Sequence, residues 1–100
     1  MSGMTQLTIT RQATPSGGAY HAHLDGHEAT GLLTWHLRPG PIWVADHTLV
    51  PTAIGGRGVA AALVEAMIAD ARAQGAAILP ACSYVAAAFD HHPEWTDLLA

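Results

Sequence analysis

Three glycines, Gly55, Gly56 and Gly58, surround Arg57 in the stretch TAIGGRGVAAALVEAM, and directly behind them the sequence takes on helical spacing. That combination suits an anion. The first turn of a helix exposes unpaired N–H groups at the positive end of its dipole. Glycine lets a ligand come close to the backbone without meeting a Cβ. Arg57 adds a cationic fork, although a plain glycine-rich loop reads the same way locally. Histidine is the other chemistry-bearing type, with seven in the chain. The spacing of His21 and His23 puts both on one strand face, but a structural metal site takes about four ligands and Cys82 is distant in sequence. A solvated sheet face, with no metal, is the expectation. Asp90-His91-His92 lacks the further carboxylates of a two-metal site and is expected to close a helix, where histidine complements the dipole.

Three kinds of anion loop compete. A phosphate loop ending in Gly-Lys-Ser/Thr is excluded because the chain has no lysine. Gly56-Arg57-Gly58-Val59-Ala60-Ala61 reads G-x-G-x-x-A, as a dinucleotide fingerprint does. That fingerprint opens the first βα turn of a parallel unit and is followed by an acid on the next strand. Here it follows antiparallel strands, and AAILP carries no acid. The third option is a loop for the pyrophosphate of coenzyme A.

The elements that must position this loop come from periodicity. QLTITRQ alternates and reads as a strand, TPSGGA as a loop, and YHAHLDG as a strand with Tyr20, Ala22 and Leu24 on one face. Asp25-Gly26 is a two-residue hairpin turn. The return strand HEATGLLTWHL places Gly31, Leu33, Trp35 and Leu37 together, RPGP breaks it, and IWVADHTLV is a fourth strand that Pro51 either ends or meets at a bulge. From Gly58 to Gln74 the apolar spacing becomes helical, with Gly75 as the stop. AAILP is a short buried strand, and CSYVAAAFDHH a second helix with Ser83 as a candidate N-cap. PEWTDLLA is a short terminal turn or helix. The order β-β-β-β-α-β-α makes an α+β domain with a mixed, mostly antiparallel sheet.

Composition bounds the rest. One hundred residues, half of them hydrophobic and 12 % charged, are expected to form one globular domain, spanning 1–100. A formal net charge of -4 gives no footprint for nucleic acid. No apolar run approaches the length of a membrane span, and the start MSGMTQ is polar rather than a signal pattern. The single cysteine, Cys82, fits a reducing compartment, so a cytoplasmic location is the expectation.

From Asp46 to Leu99 the chain resembles the small, stand-alone GCN5-related N-acetyltransferase-like domains. The resemblance rests on Asp46-His47-Thr48 ending the fourth strand, the loop Gly55 to Ala60, Pro80-Ala81-Cys82-Ser83-Tyr84, and His92-Pro93-Glu94-Trp95. The hairpin LDGHEATGLLTW fits the N-terminal half of such domains. The superfamily loop reads Arg/Gln-x-x-Gly-x-Gly/Ala. Gly58 and Ala60 match its last positions, Gly55 stands where Arg or Gln is expected, and Arg57 is the cation at hand.

The resemblance implies a sheet whose fourth strand and AAILP splay apart to hold acetyl-CoA as cosubstrate. The pyrophosphate would rest on Gly55, Gly56, Arg57, Gly58, Val59 and Ala60. The pantetheine arm would pair with the strand edge at Leu49 and Val50, and the thioester would point towards His47 and Cys82. Partners are then coenzyme A and an amine-bearing small molecule or protein. A free lysine-type amine, with a pKa of about 10.4, must lose a proton before it attacks. His47 is either that base or a structural histidine. Cys82, between a strand and a helix N-terminus, is an acyl-accepting nucleophile, a proton donor, or inert. Tyr84 either protonates the leaving thiolate, as a tyrosine on that helix does in larger relatives, or packs on the core. Asp46 either orients His47 or faces solvent. The leading expectation is an N-acyltransferase working by direct transfer. The alternatives are a CoA-binding or protein-binding module with little catalysis, and a thioester hydrolase using Cys82 and His47.

Overall fold

The computed structural model describes residues 6–100. Its elements are β1 (Leu7–Thr14), β2 (Gly17–Leu24), β3 (Thr30–Arg38), β4 (Ile42–Leu49), α1 (Val59–Gln74), β5 (Ala77–Pro80) and α2 (Ser83–His91). Short 3₁₀ segments follow β4 (Thr52–Ile54) and α2 (Pro93–Leu98). The five strands form one open sheet in chain order. β1 to β4 are antiparallel neighbours and β5 runs parallel to β4. This is the α+β, mixed-sheet arrangement that the order of elements predicts.

Period-two alternation does what the sequence implies on β2, where Tyr20, Ala22 and Leu24 are buried. They share one cluster with Leu33, Trp43, Ala45 and Ile78 from the sheet, Val59, Leu63 and Met67 from α1, and Val85 and Phe89 from α2. Both helices therefore cover the same face of the sheet. The opposite face carries His21, His23, Thr34, His36 and Val44 in cross-strand register, and we call it the open face. His21 and His23 stack there with ring centroids 6.5 Å apart, and His23 Nε2 lies 3.1 Å from Thr10 Oγ1. Among the described residues no group of three or more His, Cys, Asp or Glu is placed to hold a metal ion. No described helix is long and apolar enough to cross a membrane.

The helix ends follow from local chemistry. Gly75, at φ 70°, stops α1 in the left-handed region, and the Ala76 N–H donates to the Ala71 carbonyl at 2.9 Å. Asp70 ties α1 to the β1–β2 hairpin, accepting from Arg11 Nε at 2.7 Å and from the Tyr20 hydroxyl at 2.8 Å. Burial first, then the hydrogen bond to Asp70, pushes the Tyr20 phenol up, so it stays a donor.

Three expectations are corrected. Asp25-Gly26 is not a two-residue hairpin turn: five residues separate Leu24 of β2 from Thr30 of β3, and of the two only Gly26 has a positive φ, 83°. TPSGGA is not a loop throughout: Gly17, Gly18 and Ala19 are the start of β2, and only Pro15 and Ser16 separate the strands. These glycines serve close packing rather than a turn, since a Cβ on Gly18 would lie 2.9 Å from the Trp35 ring. Ser83 is not the N-cap of α2. Cys82 holds that position, with extended φ −85° and ψ 133°, because its N–H is still pinned to the Ala45 carbonyl of β4 at 2.9 Å.

Candidate active site

The site is built on β4, whose two halves have different neighbours. From Ile42 to Ala45 the strand is paired on both sides, with β3 and with β5 (Ile42↔Ala77 to Ala45↔Pro80). The Cys82 N–H to Ala45 carbonyl bond is the last backbone link on the β5 side. Beyond it β5 has ended and the chain turns into α2, while β4 runs on from Asp46 to Leu49 against β3 alone. The gap is a cleft of about 590 Å³ walled by Asp46, His47, Thr48 and Leu49 on one side and Ala81, Cys82 and Ser83 on the other.

A β-bulge sets the side chains of the cleft. Trp35 pairs with Ala45 and Thr34 with His47, so Asp46 is an extra residue on β4. His47 lies opposite Thr34 and Thr48 opposite the buried Leu33, which puts His47 on the open face and Thr48 on the helix face. Asp46 also turns to the open face. There both its carboxylate oxygens meet Nδ1 of His36 on β3, at 2.8 and 3.0 Å. Asp46 therefore neither orients His47 nor stands free. His47 is exposed, and no described side chain bonds its ring.

Cys82 sits across the cleft, partly buried, with Sγ 3.5 Å from Thr48 Oγ1. As a thiol it donates to that oxygen; as a thiolate it accepts from the Thr48 hydroxyl. Burial pushes the thiol up. Hydrogen bonding from Thr48 and from the N–H groups of Val85 and Tyr84 at the start of α2 acts the other way, and the net displacement is downward. Those two N–H groups form no fully aligned cap with the sulfur, but they face it closely enough to favour its charged form.

The glycine loop lies between the free end of β4 and α1. Gly56 and Gly58 have φ of 72° and 75°, a region that side-chain-bearing residues rarely adopt, and a Cβ on either would meet nothing within 4 Å. Gly58 is the N-cap of α1 and supplies no side-chain cap, and the first turn holds no acidic residue. The opening N–H groups of α1 thus have no side-chain cap, and Arg57 just before them is exposed. Gly55, by contrast, has an ordinary extended φ of −70°.

The structure brings Leu49, His47 and Cys82 into one cleft. Val50 lies just past the end of β4 and packs against the core. Tyr84 does not line that cleft. It is 42 % exposed and borders a groove of about 270 Å³ between α1 and α2, together with Ala61, Val64, Ala88 and Trp95. Ala61 belongs to the first turn of α1, so this groove starts beside the glycine loop. The family model for GCN5-related N-acetyl-transferases matches residues 19–98. The chain belongs to that family. The match takes in β2 to β5, both helices, the glycine loop and both walls of the cleft. Acetyl-CoA-dependent acyl transfer is the general activity of this N-acetyltransferase family, and coenzyme A its usual ligand. No curated protein sequence matches the chain.

Reasoning from sequence missed Thr48 and His36 as parts of the site. Thr48 was visible within Asp46-His47-Thr48, but its role depends on facing Cys82 across a gap between parallel strands. His36 carries no local signal, since its partner is set by the register of β3 on β4 and by the bulge.

Proposed function

We propose that this N-acetyltransferase domain moves an acetyl group from acetyl-CoA directly to the nitrogen of an amine. The observation that carries the reading is the free half of β4 facing Cys82 across the cleft, next to an uncapped helix N-terminus. The residues fit the cosubstrate. Left-handed glycines without Cβ atoms, unpaired N–H groups and Arg57 suit a pyrophosphate. The unpaired edge of residues 46–49 suits the amide-bearing pantetheine arm, as an exposed strand edge suits any chain that can extend it.

The cleft gives the reaction two sides. His47, on the open face, takes a proton from the acceptor ammonium. The free amine nitrogen then bonds to the acetyl carbon, and the carbon–sulfur bond breaks. Coenzyme A leaves as its thiolate and takes up the second proton that the nitrogen loses. Cys82 and the start of α2 stand on the helix face, where dipole and hydrogen bonds stabilise a developing negative charge on sulfur. Tyr84, in the neighbouring groove, contacts the cosubstrate rather than the acceptor in this reading.

The downward displacement of the Cys82 thiol favours a second reading, in which Cys82 accepts the acetyl group first and an amine or water removes it. Intact-protein mass spectrometry at short times after mixing with acetyl-CoA separates the two. Direct transfer predicts no acetylated protein, and Cys82→Ala then loses at most the ~10²–10⁴-fold of an acid–base group. An adduct on Cys82 that forms as fast as turnover and is discharged by added amine establishes the covalent route instead.

A further inference from the structure

The acceptor side of the cleft has a charge pattern that points to a class of amine. Among the residues walling the cleft, Asp46 is the one carboxylate, and none is an arginine. The chain has no lysine. Arg11 and Arg72 are tied to Asp70 and Asp97, Arg57 belongs to the glycine loop, and Arg38 lies at the other end of β3, opposite Ile42. Four residues of strand, about 13 Å, separate Ile42 from Asp46. Among the described residues, a carboxylate or phosphate on the acceptor would therefore find no cationic partner near Asp46 except histidine.

The Asp46 side chain is 28 % exposed, and its direction is fixed. The bulge swings it to the open face beside His47, and His36 Nδ1 bridges both its oxygens at 2.8 and 3.0 Å. One donor leaves most of the lone pairs of a carboxylate unused. Asp46 also lines the cleft, so those lone pairs are available to a ligand there. The other groups near the pair are Val44 and His47 from β4, Gly17 from β2, and Thr34 from β3 itself, none of which carries a fixed positive charge.

We propose that Asp46 is an acceptor-binding residue that receives a cationic group of the acceptor, with His36 as the positioning residue that locks its carboxylate. The acceptor is then a small aliphatic amine with a second cationic group a few atoms from the reacting nitrogen. That second ammonium sits on Asp46 while the reacting nitrogen faces His47. Amino acids, whose carboxylate would meet Asp46, are disfavoured.

This inference rests on the acyl-transfer reading above, and the test separates the two. The probes are diaminobutane, butylamine and γ-aminobutyrate, which present a cation, a methyl group and an anion on similar short chains. Acetyl transfer is followed by release of free CoA, and CoA binding by the rise in melting temperature. In the wild-type protein kcat/KM should fall in the order diaminobutane, butylamine, aminobutyrate. A charge-assisted hydrogen bond is worth roughly ten- to a hundredfold, and that is the expected gap between the first two. Raised salt should narrow it. Asp46→Asn should collapse the ratio of diaminobutane to butylamine, mainly through KM, with the CoA-induced shift intact. His36→Gln should lower the same ratio by a smaller factor. Equal losses on all three amines in Asp46→Asn, or a wild-type preference for aminobutyrate, overturns the proposal alone. Transfer to none of the three amines, with CoA binding intact, overturns the acyl-transfer reading and this proposal with it.

Discussion

Two halves of one strand, four residues each, behave as different materials. Ile42 to Ala45 is held by β3 and β5, and Trp43, Val44 and Ala45 are buried. Trp43 stacks on Trp35 with ring centroids 4.1 Å apart. Asp46 to Leu49 is held by β3 alone, and its four residues are partly or fully exposed. The first half is paired along both of its edges. The second half leaves an edge unpaired and adds two titratable side chains. Such an edge invites unwanted pairing, and it is retained where a ligand can use it. One continuous strand thus joins a half paired on both edges to a half with one edge open.

Substitutions along this line should grade from structural to functional. The largest effect is expected for Trp43→Ala, a loss of ~3–5 kcal/mol in urea unfolding, because it empties a buried, stacked position. A value below that of an ordinary surface change would break the contrast. Next comes Gly58→Val. At φ 75° a β-branched residue costs on the order of 1–3 kcal/mol. It should also abolish the rise in melting temperature with acetyl-CoA, which in wild type follows RT ln(1 + [L]/Kd). A retained rise would remove this loop from the cosubstrate site. Thr48→Val should act on reactivity more than on stability. The Cys82 thiol is displaced downward, so a larger share is thiolate at neutral pH than in a free cysteine. Losing the Thr48 hydroxyl moves it back up, so the pH profile of alkylation should shift to higher pH and the neutral rate fall. An unshifted profile would show that Thr48 does not act on the sulfur. The smallest effect is expected for Leu49→Ser. At 62 % exposure it should change unfolding free energy by no more than about 0.5 kcal/mol, against the several for Trp43.

Much of the frame was legible because one period dominates each element. Tyr20, Ala22 and Leu24 alternate, and Val59, Leu63, Met67 and Ala71 recur every fourth residue; all are buried on the side their period predicts. Gly75 stops α1 for the reason glycine does so in general. Gly17 and Gly18 misled because glycine marks turns far more often than it marks a strand pressed against a tryptophan. Cys82 takes the cap position that Ser83 was suited to because a tertiary hydrogen bond to Ala45 sets the backbone there, and capping preference does not. The site was legible only in part. Motif order brought His47, Cys82 and the glycine loop into view. The bulge at Asp46 and the pairing of Asp46 with His36 depend on strand register, which one sequence does not display. Tyr84 shows the same limit, since helical phase and the tilt of α2 decide which groove it borders.

Amide hydrogen exchange along β4 tests most directly the claim that its free half holds the cosubstrate. Without ligand, amides from Trp43 to Ala45 should exchange slowly, and those on the unpaired edge between Asp46 and Leu49 faster. Adding acetyl-CoA should slow exchange at residues 46–49 and at 56–60, and leave Trp43 to Ala45 as they were. Protection by acetyl-CoA that appears elsewhere, with residues 46–49 and 56–60 unchanged, would contradict the account.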